Sequence, residues 1–445
     1  MKKFSTNTAI APEKFRSQLR LLNDAARKVL SAGFGRHIPA DRVLGTFFRE
    51  NRRCGSRDRA LISETVYSAL RFWGYLRRFL PEERLGEIET GALRLTDREL
   101  SALLMAGCFI NGDAEPASAA AGALTLPALP RALGNPCARA NQMAEYFGCR
   151  GAKLHDTDLL PAWVRGMLPE DLDQAAYLKL LSVRPPMWIR LQTDDPEAVL
   201  SEIRAVADSV TPHPVIPDAA AVRAKINLYT LESFRGGKFE IQDIASQCVA
   251  RIAAPRPGER WLDPCAGAGG KTLHLAQLMN RKGTVVAGDI RAEKLDDLRR
   301  RARRAGFPNI TAKLNRGGTW YGRHPYDGVL VDAPCSCSGV WRRNPGAQWK
   351  LKEEDVRELA AVQKKILDDH AGALRVGGVL VYATCSLFDL ENSTVVRSFL
   401  AGHDEYRLDP FEHPFSGKIV PGMIRIDSCE SDCDALFIAK MRRVR

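Results

Sequence analysis

Two cysteines offer the most pointed chemistry in this chain. Cys335 sits in "DAPCSCSG" (332–339) and Cys385 in "ATCS" (383–386). Each follows the apolar run of an expected strand, "VLVD" for the first and "VLVYAT" for the second. In a parallel sheet the carboxyl ends of the strands open onto one crevice, so these two thiols face a common substrate. One such cysteine alone reads as a small buried side chain. Two at equivalent strand ends, one of them after Asp-Ala-Pro, point instead to nucleophilic catalysis. A thiolate attacks carbon well even when only a small fraction of the thiol is ionised. Added to C6 of a pyrimidine, it breaks the aromatic system and gives C5 enamine character. C5 can then attack an electrophilic methyl group, and loss of the C5 proton expels the sulfur. Asp332 is placed to hydrogen-bond the N3/N4 edge of a cytosine and steady that adduct. The base has to leave its stack to be reached on its face.

A second site precedes the sulfurs. "DPCAGAGGKT" (263–272) follows an apolar strand and opens a helix. Its glycines permit a tight turn close to a ligand, and the helix start offers free N–H groups. The spacing is not GxGxxG, and it is not a P-loop, because Gly267 stands too near Lys271 and Ala266 occupies the position a glycine would need. Asp289 ends the next expected strand, where a carboxylate can accept from a ribose diol. A nucleoside-containing cofactor fits both features. The eleven cysteines are odd in number and scattered, which argues against a disulfide framework and for a reducing, cytoplasmic setting. No paired CxxC units occur, so no metal is expected. No apolar run approaches about 18 residues, so no membrane span is expected.

The elements that must hold these groups fall into three stretches. Residues 1–150 read as an all-α module. Phe15, Leu19, Leu22, Ala26 and Val29 recur at helical spacing over 12–31, and Leu61, Thr65, Ala69, Phe72, Leu76 and Phe79 do so over 57–80. Residues 96–148 continue helix-like, broken at "LPALPRALGNP". The first 80 residues carry 17 Lys and Arg against 6 Asp and Glu, so nearly all of the chain's net charge of +12 lies there. Nucleic acid is the partner such an asymmetry suggests. Residues 151–235 read as a small α/β domain, with a strand in "PPMWIRLQ" and a helix from Asp195 or Pro196. Residues 236–445 alternate strands with helices of ten or more residues, the pattern of a doubly wound α/β sheet.

Taken together, "QDIASQ" (242–247), "DPCAGAGGKT", Asp289, "DAPCSCSG" and "ATCS" resemble, in order, the bacterial Sun/Fmu-type RNA (cytosine-5)-methyltransferases. "RRCGSRDRALISETVYSALR" resembles their NusB-like RNA-binding module, and "PPMWIRLQT" the small α/β domain before the catalytic one. The resemblance implies a Rossmann-like methyltransferase domain, S-adenosyl-L-methionine as cofactor, and cytosine C5 in RNA as the acceptor, with small-subunit (16S) ribosomal RNA preferred. It implies a monomer that works away from membranes. It makes Cys385 the nucleophile and gives Cys335 the release of enzyme from methylated RNA, roles that spacing alone leaves open. Cys265, Ala266, Gly267, Ala268, Gly269, Gly270, Lys271, Asp289 and Asn315 would hold the cofactor, with Asp332 between cofactor and base. The family often has Asp where Asn315 stands. Cys337 departs from the family, in which glycine commonly follows the serine, and is read as a bystander. Trp341, Arg342 and Arg343 are read either as a stacking and neutralising patch for single-stranded RNA or as a packed tryptophan with solvated arginines. The rival functions are a transfer RNA methyltransferase, a noncatalytic RNA-binding assembly factor, which needs neither thiol, and a DNA cytosine methyltransferase, against which the "TC" cysteine and the basic module count.

Overall fold

Period-3.6 stripes in the first third of the chain become helices that bury those stripes. The computed structural model describes residues 12–445 apart from 37, 90, 92–93, 150–152, 225–226, 319 and 323. The chain divides into two compact units, the first drawn from residues 1–166, 173–184 and 341–351. Helix Pro12–Arg36 buries Leu19, Leu22, Ala26 and Val29 along one side. The side chain of Phe15 lies outside the described residues. Helix Asp97–Asn111 is the unit's central rod and is buried nearly all round. Its start is a capping box, in which Thr96 Oγ1 accepts from Glu99 N–H and the Glu99 carboxylate accepts from Thr96 N–H. Gly107 lets this rod touch Ser56–Arg71, since a Cβ there would lie 3.0 Å from Ala69 Cα.

The helix expected over 57–80 stops at Arg71 and resumes only as the short turn Trp73–Leu76. Phe72, Trp73, Tyr75 and Leu76 surround the full circumference of a continuous helix, and the break allows all four to be buried. The segment Trp341–Leu351, which directly follows the "DAPCSCSG" loop, belongs to this helical unit. Trp341 and Arg342 are each 1 % exposed, Arg342 Nε donates to Leu180 O, and Arg77 lies over the Trp349 ring. Of the two readings of this stretch, the packed tryptophan is the one found; the stacking surface is corrected for Trp341 and Arg342, and so is the solvated arginine for Arg342, because both side chains are part of the packing.

The second unit is built of residues 167–172, 185–340 and 352–445. A four-stranded sheet of β1 (Met187–Leu191), β2 (Ser209–Pro212), β3 (Ala219–Arg223) and β4 (Phe239–Ile241) is antiparallel throughout, in the order β2-β3-β1-β4. The main sheet contains β5 (Arg260–Asp263), β6 (Thr284–Asp289), β7 (Ile310–Leu314), β8 (Tyr326–Asp332), β9 (Leu374–Thr384) and β10 (Tyr406–Leu408). Farther along the chain, β11 (Phe411–Glu412) and β12 (Ile419–Val420) form a ribbon, and β13 (Met423–Ile426) pairs with β14 (Leu436–Arg443). The main order is β10-β14-β9-β8-β5-β6-β7, with β5 to β9 parallel and β14 antiparallel between β9 and β10.

Both faces of this sheet are covered, which explains why its strands read as unbroken apolar runs. Trp261, Leu330 and Val381 enter one core, with helices α1 (Ile244–Ala253) and α2 (Gly270–Leu278). Their neighbours Leu262, Val329, Val331 and Tyr382 enter the other, with α4 (Glu353–Ala371) and α5 (Ser393–Gly402); α3 (Ala292–Ala305) lies between α2 and α4 in the chain. Sequence reading places the β5, β6, β8 and β9 strands and the α3 and α4 helices. It does not anticipate the antiparallel edge of β10, β13 and β14. β14 carries polar Lys440, Arg442 and Arg443 at its far end, which blurs the apolar run expected of an inner strand.

Candidate active site

Four strand ends frame the site. Asp263 closes β5, Asp289 closes β6, Asp332 closes β8, and Cys385 follows Thr384 at the end of β9. β5 and β8 are neighbours from which the sheet winds in opposite directions, so the crevice at their carboxyl ends is where such sheets take ligands.

The glycine-rich turn is held by its own backbone. Ala266 N–H donates to Gly288 O, and Gly269 N–H donates to Ala266 O, both at 2.8 Å. Gly269 has φ +90°, and a Cβ on it would sit 2.8 Å from Leu298 Cγ. Any other residue would thus clash as well as strain, and α2 starts at the next residue, Gly270. Arg301 on α3 donates to Ala268 O. Asp289 accepts from Gly267 N–H at 3.0 Å and from the Arg291 backbone and guanidinium. Burial pushes its carboxyl up, but these hydrogen bonds outweigh burial and leave it below the ordinary range. Asn315 N–H donates to Asp289 O at 3.0 Å, and its side-chain oxygen accepts from Gly317 N–H. Gly267, Asp289 and Asn315 therefore share one rim. Burial keeps the Cys265 thiol protonated.

Lys271 does not point to solvent from the helix. Its Nζ lies 2.8 Å from Asp332 Oδ2. Burial alone would discharge the ammonium, but the pairing with Asp332 overcomes that and raises it above the usual lysine value. Cys335 Sγ and Cys385 Sγ are 3.4 Å apart. The hydrogen bond from Cys335 favours a Cys385 thiolate, but the bond with Cys337, burial and the Asp332 charge prevail, so Cys385 is a resting thiol. Cys335 is held up likewise: its bond from Cys337 is outweighed by Cys385, burial and Glu391.

Sequence reading missed the groups that bring these loops into register. Glu391, fully buried, accepts from Ser336 N–H at 2.9 Å, from Ser336 Oγ and Ser386 Oγ at 2.5 Å each, and from Gln363 Nε2 at 2.9 Å. Ser336 follows Cys335 and Ser386 follows Cys385, so one carboxylate ties together the two thiol-bearing loops. Gln363 on α4 also donates to Pro334 O. The repeated Cys-Ser dipeptide is the one signal in the sequence that could have suggested a shared partner. Asp263 was also missed. Its Oδ2 accepts from Thr272 Oγ1 at 2.6 Å, while Oδ1 is buried with no partner among the described residues. Burial pushes this carboxyl up to about 7.

A family model described as 16S rRNA methyltransferase RsmB/F matches residues 250–442. Ribosomal RNA small subunit methyltransferase B of Xanthomonas campestris is 32% identical over 93% of this chain and 98% of its own length. The protein of the same name from Klebsiella pneumoniae is 30% identical over 88% and 92%. The fold is similar to the crystal structure of PH0851, with a TM-score of 0.75, 22% identity and coverage of 95% of this chain and 98% of that one. It is also similar to NSun6 from Pyrococcus horikoshii with SFG, with a TM-score of 0.52 at 19% identity over 63% and 99%.

Proposed function

The chain belongs to the 16S rRNA methyltransferase RsmB/F family, and from that premise we propose that it methylates C5 of a cytosine in 16S ribosomal RNA through a covalent bond from Cys385 to C6. It is an RNA methyltransferase that uses S-adenosyl-L-methionine. The single observation that supports the chemistry best is the 3.4 Å approach of the two thiols beside the Lys271–Asp332 pair.

The cofactor fits the residues around the glycine-rich turn. A partnerless buried oxygen on Asp263, the open start of α2 and the anionic Asp289 are a donor-and-acceptor set suited to a charged amino acid joined to a nucleoside. Residues 265–271, Asp289 and Asn315 would hold it. When bound, it supplies an electrophilic methyl group. Asp332 accepts from the N4 edge of the flipped cytosine, while Lys271, 2.8 Å away, holds that carboxylate in place. Cys385 gives its thiol proton to solvent as its sulfur adds to C6, the C5–C6 π electrons take the methyl at C5, and the C5 proton then leaves to solvent as the C6–sulfur bond breaks. Cys335, in contact with the attacking sulfur, assists loss of the C5 proton and release of the sulfur. Glu391 sets both loops without touching substrate.

We read residues 1–150 as the RNA-binding module, 151–235 as a small α/β domain whose sheet is completed by β4, and 236–445 as the catalytic domain apart from Trp341–Leu351, which belongs to the helical unit. Exposed Arg52, Arg53, Arg57 and Arg59 are candidate phosphate contacts. The enzyme is read as a cytoplasmic monomer, and no helix among the described residues is long and apolar enough to cross a membrane. The test is incubation with methyl-labelled cofactor and unmodified 16S rRNA, followed by nucleoside analysis. Label in 5-methylcytosine supports the reading. Label that enters transfer RNA alone, or a different base, overturns it.

A further inference from the structure

Methyl transfer employs two sulfurs, and the structure gathers three. Cys335, Cys337 and Cys385 present Sγ atoms that all lie within 4.8 Å of one another. Cys337 reaches this position from a backbone φ of +56°, a region that side-chain-bearing residues enter at a cost. Its thiol donates to Cys335 O at 3.5 Å. An ion bound in a plane by three thiolates at about 2.3 Å sets the sulfurs about 4 Å apart. The observed grouping needs only small adjustment to reach that spacing. The group contains no nitrogen or oxygen ligand, and an all-sulfur set selects soft ions over hard ones.

We propose that Cys335, Cys337 and Cys385 form a binding site for one thiophilic cation of the zinc, cadmium or copper(I) class, and that its occupation switches methyl transfer off. Binding a divalent ion converts three S–H groups to three metal–sulfur bonds and releases three protons to solvent, with no change of oxidation state. The complex carries one negative charge, which the Lys271 ammonium, electrostatically coupled to Cys385, offsets. With its sulfur bound to the ion, Cys385 cannot attack a pyrimidine. Cys337 is the ligand that methyl transfer does not require.

The site is tested by titrating the reduced full-length protein with cadmium in the presence of a competing chelator. The sulfur-to-cadmium ultraviolet band and proton release are followed together. One equivalent should give the full band, release three protons, and abolish methylation until chelator is added in excess. Cys337→Gly relieves the positive-φ strain and so preserves the loop. It should weaken cadmium binding by at least about 100-fold, since losing even an outer partner of a metal site costs about 10–100-fold. Magnesium should not displace cadmium. If Cys337→Gly binds as tightly as the parent, or the parent gives no band at one equivalent, the proposal is overturned. The band reports on the ion directly, so its failure is distinguishable from failure of the methyl-transfer reading.

Discussion

Replacing Glu391 by Gln tests whether one buried carboxylate holds the two thiol loops in register. The carboxylate accepts four hydrogen bonds. A hydrogen bond to a charged group contributes about 1.5–3 kcal/mol and a neutral one about 0.5–1.5 kcal/mol, so each of the four weakens by about 1 kcal/mol. The amide oxygen of Gln can keep the two nitrogen donors, Ser336 N–H and Gln363 Nε2, on one side. Its NH₂ then meets the hydroxyls of Ser336 and Ser386, which must reverse. Neutral Gln is cheaper to bury than a charge, which offsets part of this, and the expected net loss is about 2 kcal/mol. The functional loss should be disproportionate. Ser336 and Ser386 adjoin the two cysteines, and a displacement of about 1 Å at reacting groups costs about 100-fold in rate. Single-turnover methylation of 16S rRNA should therefore slow by about 100-fold while RNA binding is unchanged, with a few degrees lost in the melting temperature. A Gln variant that melts lower but methylates at the parent rate would show Glu391 to be structural only. Unchanged melting and rate together would refute the network itself.

Three further outcomes follow from the site. Cys335→Ala should accumulate a covalent protein–RNA complex visible on denaturing gels, and Cys385→Ala should form none; exchanged phenotypes would exchange the assigned roles. The Asp263 carboxyl is raised from 3.8 to about 7, so it favours the folded state at low pH, and that contribution is lost as pH rises through about 7. Asp263→Asn should accordingly match the parent in melting temperature near pH 4, exceed it by a margin that grows between about pH 4 and pH 7, and hold that margin above pH 7; a difference that is constant across pH 4 to 7 would refute the shift. Replacing exposed Arg52, Arg53 and Arg57 by Ala should weaken 16S rRNA binding and reduce its log–log salt slope by about 0.7–0.9 per lost phosphate contact, whereas an unchanged slope would remove those residues from the interface.

The sequence by itself determined which residues arrive at the strand ends. Apolar runs closing in Asp263, Asp289, Asp332 and Thr384 specify buried strands, and a parallel sheet sends all such ends to one side. That is why Asp289, Cys335 and Cys385 could be proposed together from sequence, with Gly267 in the turn after β5. Hydrophobic period also located the helices of the basic first third, because burying a stripe at 3.6-residue spacing is a local requirement. Only tertiary structure decided what meets what across long stretches of chain. Lys271 could have been a solvated helix lysine until Asp332 was seen 2.8 Å away. Glu391 looks like an ordinary turn carboxylate until two loops 50 residues apart converge on it. Trp341 and Arg342 look like an RNA platform until packing encloses them. Local pattern reports how a segment meets water, and it is silent on its distant neighbours. Hydrogen-bond partners and sulfur–sulfur distances are set by the close packing of all elements at once.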